Sequence, residues 1–195
     1  MKTYSALITA VALSFALSPA LAKDPVKDPK SPTPAEKRAQ LSKDVPVAIE
    51  KFKKTDPGMD RFFSQSVGYV VFPGIDKAGF IVGGGHGTGE VFEHGKPIGT
   101  ATITIGTIGL QAGAQTFSQI IFFKDTAALD RFKKNKFEFT ANASAVIAKA
   151  GASTNTDYRN GVAVFTRADE GVMAEAALGS QKFKFKGEAS PATKK

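Results

Sequence analysis

No cysteine occurs anywhere in the 195 residues. Disulfides, thiolate metal sites, cysteine nucleophiles and an N-terminal lipid-modified cysteine are thereby excluded. Tryptophan is also absent, and sixteen phenylalanines supply the bulk of the aromatic content. The core is therefore expected to be built on phenylalanine. Only two histidines are present, His86 and His94. No H-E-x-x-H spacing accompanies them, and Glu90 and Glu93 between them form no short ligand motif, so no metal site is assigned. No G-x-S-x-G elbow and no carboxylate pair in an apolar setting stands out, so no catalytic residue is named and no cofactor is expected.

Charge is missing from one long stretch. Between Pro97 and Phe123 there is not a single Asp, Glu, Lys or Arg. A spanning helix needs about 20 apolar residues, but Gly, Thr and Gln recur through this run, and Thr100, Thr102 and Thr104 alternate with Ala101, Ile103 and Ile105. That period of two indicates buried antiparallel strands with one apolar and one hydroxyl face. A transmembrane barrel is disfavoured because too few segments show ten-residue alternation.

Outside that run the chain is basic, with a net charge of +8. A positive balance favours anionic surfaces such as phosphates or acidic lipid headgroups. Residues 1–22 read as a signal peptide: Lys2, an apolar run from Ala6 to Leu17, and the small-x-small site Ala20-Leu21-Ala22. Periplasmic or secreted localisation is expected, and without cysteine the product is not a lipoprotein. Residues 23–45 comprise a Pro/Lys-rich tether, KDPVKDPKSPTP, and a first helix opened by Thr33-Pro34-Ala35-Glu36, a capping box with proline at the first helical position. Pro46 is expected to break or kink this helix before Val47–Lys54 resumes it. Asp56-Pro57-Gly58 marks a turn or the start of a short helix carrying Met59, Phe62 and Phe63.

Thirteen of the nineteen glycines lie between Gly68 and Gly113, interleaved with β-formers. Tyr69–Phe72 reads as a strand stopped by Pro73-Gly74, Ala78–Val82 as a second, and Gly83–Gly89 as too glycine-dense for regular structure throughout. Glu90–Glu93 pairs back before a turn at His94-Gly95-Lys96-Pro97. Neither G-x-G-x-x-G nor the P-loop pattern is matched in this stretch, so nucleotide binding is not assigned. Gln119–Lys124 reads as a strand and Asp125 or Thr126 as the cap of a short helix. Phe137–Ala150 alternates as one further strand, followed by a polar loop to Asn160, a strand over Gly161–Thr166, a turn over Arg167–Gly171 and strands over Val172–Leu178 and Gln181–Lys186. On the last of these, Phe183 and Phe185 face one side, and Lys182, Lys184 and Lys186 the other.

The expected fold is α+β: a curved, mostly antiparallel β-sheet, sandwich- or barrel-like, with N-terminal helices and one short internal helix. Its domain is placed at 46–187, with a flexible tail at 188–195. Two lysine groups, Lys51, Lys53 and Lys54 and then Lys182, Lys184 and Lys186, are candidate lipid-binding residues on charge grounds. The plainer reading makes them a solvated face over buried phenylalanines, or guards of an edge strand.

Five segments in fixed order then carry a resemblance: Gly68-Tyr-Val-Val-Phe-Pro73, Lys77-Ala-Gly-Phe80, the glycine run from Gly83 to Gly89, Ile108-Gly-Leu-Gln-Ala-Gly-Ala-Gln115, and Gly171-Val-Met-Ala-Glu-Ala-Ala-Leu-Gly179. Together they resemble the SYLF lipid-binding domain family over about 110 residues. The resemblance implies phospholipid binding without catalysis, and adds Lys77 to the candidate lipid-binding residues. The functional expectation is non-catalytic binding of anionic phospholipid at a membrane surface of the cell envelope, with no nucleic-acid partner. An envelope structural or protein-interaction role, with a protein partner, is the alternative.

Overall fold

The computed structural model describes residues 32–79, 82–108, 113–135, 138–140, 145–147, 149–168 and 180–188. The expected signal peptide, most of the tether and the strand expected over Val172–Leu178 lie outside the described residues. The described residues from Thr33 onward form one compact unit.

It opens with α1, Pro34–Thr55, capped as its sequence dictates: the Thr33 hydroxyl accepts from the Glu36 amide, and the Glu36 carboxylate accepts from the Thr33 amide at 2.7 Å. The helix is not broken at Pro46. Proline removes a bond to the carbonyl four residues back, here that of Ser42. Both residues are exposed, so water can serve that carbonyl. A short 3-10 turn, Pro57–Met59, leads into α2, Asp60–Gln65.

Among the described residues, eight strands follow in one sheet of order β5-β8-β3-β2-β1-β4-β7-β6. They are β1 Gly68–Gly79, β2 Val82–Glu93, β3 Lys96–Ile108, β4 Gly113–Phe123, β5 Glu138–Thr140, β6 Ala145–Ile147, β7 Val162–Ala168 and β8 Ser180–Gly187, with α3, Thr126–Lys133, between β4 and β5. All pairings are antiparallel except β6 with β7. Three expectations are corrected. β1 is not stopped by Pro73-Gly74; it continues across them through a register shift between Val71 and Ile75. β2 is regular through the glycines, pairing residue by residue with β3 from Val82 to Val91. Phe137–Ala150 is not one strand: it supplies β5 and β6, which lie at opposite ends of the sheet.

That last placement fixes the shape. Eight flat strands at a spacing of about 4.8 Å would separate the outer two by about 34 Å. Yet only five peptide steps join Thr140 to Ala145, a reach of at most about 18 Å. The sheet must therefore curl until its ends approach each other. Side chains confirm the curl across the concave side: Gln119 of β4 and Gln181 of β8 exchange amide hydrogen bonds at 3.0 and 3.2 Å, and the rings of Phe72 and Phe183 lie 5.9 Å apart.

The glycines that defeat a regular reading of β2 are what permits the curl. A Cβ on Gly89 would stand 2.6 Å from the Val71 carbonyl oxygen and 2.7 Å from Phe72 Cδ1. On Gly87 it would stand 2.8 Å from Ile75 Cγ1. The His94-Gly95 turn closing β2 to β3 has positive φ at both residues, 50° and 74°, the handed turn that matches strand twist.

Two cores result. Inside the curl, Phe72, Ile75, Ile103, Phe117 and Phe123 meet Leu129 and Phe132 of α3, whose first turn is capped by the Asp125 carboxylate. On the convex side, Phe52 of α1 and Phe62 of α2 cover Val71, Ile120, Phe122 and Phe165. A buried carboxylate ties this helical layer to the loop before β7. Asp56 accepts from the Gly58 amide and from the Ser153 amide at 2.6 Å, while Arg61 donates to the Ser153 and Thr156 carbonyls. Burial raises the Asp56 pKa, but hydrogen bonds from Ser153, Gly58 and Gly151 outweigh it and hold the group below its usual value.

Two measurements check this account. Gly89→Ala is expected to cost about 1–3 kcal/mol in urea denaturation, as over-packing does. Gly106→Ala, whose Cβ meets nothing within 4 Å, should be neutral or slightly stabilising. Equal effects would contradict the role given to the inward glycines. Because the Asp56 pKa is depressed on folding, its contribution is present above the unfolded value of about 3.9 and is lost as pH falls through the folded value. Asp56→Asn should therefore lower the unfolding midpoint at pH 7, with the deficit shrinking at pH 3.

Candidate phosphate-facing surface

The helical layer covers the convex face only in part, and what it leaves bare is polar. Register places Lys182 beside Thr104, Thr104 beside His86, His86 beside Asp76, and Asp76 beside Thr116, one row across five strands. Lys184 stands beside Thr102, whose other neighbour is Thr88, and Lys186 beside Thr100, whose other neighbour is Glu90. Because Phe183 and Gln181 turn into the curl, the three lysines are forced outward, and all three are exposed. They follow one another at about 6.6 Å. The expected hydroxyl face is thus a real surface: Thr88 and Thr104 are exposed, and Thr100 and Thr102 half-buried.

Of these lysines only Lys182 lies where the strand is flanked on both sides; Lys184 and Lys186 lie past the three residues that β5 pairs. β8 lies between β5 and β3, and Ser180–Lys182 is paired on both sides.

The other candidate lysines are elsewhere. Lys51, Lys53 and Lys54 sit in the last turns of α1, whose opposite end is joined to the end of β8 by an Arg38–Glu188 ion pair. At 1.5 Å per residue, about 20–24 Å of helix separates Arg38 from these lysines. The two groups are therefore distinct. Lys53 is engaged already, 2.7 Å from Asp60 and 4.7 Å from the centroid of the Phe63 ring. Lys51 and Lys54 are exposed. Lys77 is inside: it shares the inward register of Ile75, is only 6% exposed, and burial depresses its pKa.

His86 and His94 are not brought together. Eight strand residues, about 26 Å, part them, with His86 on the convex face and His94 in the hairpin turn. Among the described residues no group of three or more His, Asp or Glu could hold a metal ion. Asp76, beside His86, accepts from the Thr116 hydroxyl at 2.8 Å on this open face. No described helix is long and apolar enough to cross a membrane. The charge-free run instead forms most of β3 and β4.

Sequence reasoning passed over one feature. Glu90 lies on the same face as Thr88 and is 9% exposed under α1, where its carboxylate accepts from the Ser42 hydroxyl at 3.2 Å. A helix crossing creates that site, and no local pattern announces it. The alternation of β2 could have placed Glu90 on the convex face, but not beneath the helix.

Residues 104–190 match a family model described as "Ysc84: Las17-binding protein actin regulator". Beta cell expansion factor A of Aeromonas veronii is 24% identical over 153 residues, which cover 77% of this chain and 58% of that protein. The chain thus matches somewhat over half of that relative's length.

A titration checks the placement of Lys77. A lysine whose folded pKa is depressed makes folding less favourable while it is charged, and the deficit is relieved as pH rises from the folded value to the ordinary one. Wild-type stability should therefore gain on that of Lys77→Met as pH rises toward the ordinary lysine value of about 10.4. A constant difference would place Lys77 in water.

Proposed function

We propose that this chain, whose residues 104–190 belong to the Ysc84 (SYLF) family, is a non-catalytic phospholipid-binding protein that holds anionic headgroups against the bare convex face of its sheet. The observation that carries the reading is the outward stripe of Lys182, Lys184 and Lys186, flanked by threonine hydroxyls on β3. Each lysine near an anionic membrane contributes about 1 kcal/mol. Three together give about 3 kcal/mol, roughly a hundredfold in partitioning. Hydroxyls add hydrogen bonds to phosphate oxygens without requiring a shaped pocket. Lys51 and Lys54, on the separate helix end, extend the attraction to a second point of contact. Lys77, turned inward, lies outside the contact. The signal-like residues 1–22 support placing the binding at the cell envelope.

A protein partner is the second reading. It is favoured by the family description, which names binding to a protein.

Co-sedimentation separates the two. With acidic vesicles the full chain should pellet at 50 mM salt and be released at 500 mM, whereas neutral vesicles should pellet little of it. Replacing Lys182, Lys184 and Lys186 by Glu should lower partitioning at least a hundredfold. Equal binding to neutral and acidic vesicles, or indifference to salt, would sink the electrostatic mechanism. Absence of vesicle binding, combined with a specific crosslink to an envelope protein through Lys184, would favour the second reading.

A further inference from the structure

Along one flank of α1, where it crosses the convex face, lies a groove of about 640 Å³. That volume is within the range of small-molecule sites, about 300–1,000 Å³. Val45, Pro46, Ile49 and the exposed Glu50 of the helix form one wall, and Phe92 and the buried Glu90 of β2 lie opposite. Lys53 and Lys54 stand at the end given by the last helical turn.

Glu90 is the unusual member. Among the described residues its carboxylate has a single hydrogen-bond partner, the Ser42 hydroxyl, and no cation lies within ion-pair distance. A carboxylate buried beside apolar walls without a cation is unfavourable unless a positive group joins it. Its charge is felt nearby: Tyr69 has its pKa raised, first by burial and then by Glu90.

We propose that this groove holds an amphiphile with a primary-amine headgroup, its ammonium on the Glu90 carboxylate and its acyl chain along Val45, Pro46, Ile49 and Phe92. The complementarity is of two kinds. The ammonium supplies the cation that Glu90 lacks, and the chain covers the apolar walls. The methylene stems of Lys53 and Lys54 extend that apolar surface while their ammonium groups reach water. An acidic headgroup placed against the buried Glu90 is repelled, while Glu50 and Lys54 are exposed and screened by water and Lys53 is paired with Asp60, so the buried position favours the opposite lipid class from the lysine stripe. The proposal shares with the reading above the premise that the ligand is a lipid, but uses a different site and a different headgroup.

The test uses the full chain with lysophosphatidylethanolamine and lysophosphatidylglycerol of equal chain length, each kept monomeric, titrated in a calorimeter. The amine lipid should bind at least tenfold more tightly. Glu90→Gln keeps the shape and the Ser42 contact, and should abolish the preference. Pro46→Gln, at an exposed helical position on the groove wall, should weaken binding of both lipids by removing apolar wall without adding charge, with thermal denaturation confirming that each variant is folded. Equal affinities in the unaltered chain, or a preference that survives Glu90→Gln, would overturn the proposal. Replacing Lys182, Lys184 and Lys186 by Gln should leave the amine-lipid affinity unchanged. If vesicle binding fails while this preference holds, only the lysine-stripe reading falls. If the preference is absent while salt-sensitive vesicle binding persists, only the groove falls.

Discussion

The curl of the sheet is the constraint on which the rest of the structure depends, and it rests on the absence of side chains. Where β2 passes over Ile75, Phe72 and the Val71 carbonyl, even a methyl group would collide, so Gly87 and Gly89 leave the concave side to the bulk of neighbouring strands. The phenylalanines can then fill it. The Gln119–Gln181 pair spans the interior only because β4 and β8, four places apart in the sheet, are brought within side-chain reach.

Curling also decides what the outer surface looks like. With Phe183 and Gln181 committed inward, strand alternation leaves Lys182, Lys184 and Lys186 no choice but to project from the convex face. The same parity puts the threonines of β3 beside them. α1 and α2 then cover the aromatic part of that face, around Phe122 and Phe165, and leave the polar part bare. One covered and one open region on a single sheet face separate two kinds of contact. The open region presents cations and hydroxyls; the margin of the covered region offers apolar walls and one buried carboxylate.

Much of this was legible in the sequence where local chemistry decides it. The Thr33–Glu36 capping box, the short helix after Asp56 and the alternation of β3 and β8 were each written in a few adjacent residues, and each stands in the structure. The SYLF resemblance likewise agrees with the family match. The failures share a physical cause, which is tertiary context overriding local signals. Pro46 reads as a break until its exposed position shows that the lost hydrogen bond is open to water. The glycine run reads as irregular until the residues stacked over it are known. Phe137–Ala150 alternates like one strand, yet its two halves close opposite ends of a sheet, a division that no periodicity encodes. At the candidate surface, the outward direction of Lys182, Lys184 and Lys186 was readable from alternation. The inward direction of Lys77 was not, because the register shift between Val71 and Ile75 intervenes.

The functional account therefore amounts to an orientation: the polar part of the convex face toward the lipid, and α3 and the concave side away from it. Paramagnetic broadening of side-chain methyl signals by vesicles with spin-labelled headgroups tests that orientation most directly. The account predicts broadening of Thr88, Thr100, Thr102 and Thr104, with Ile103 and Leu129 spared. Broadening confined to α3, or spread evenly over both faces, would contradict it.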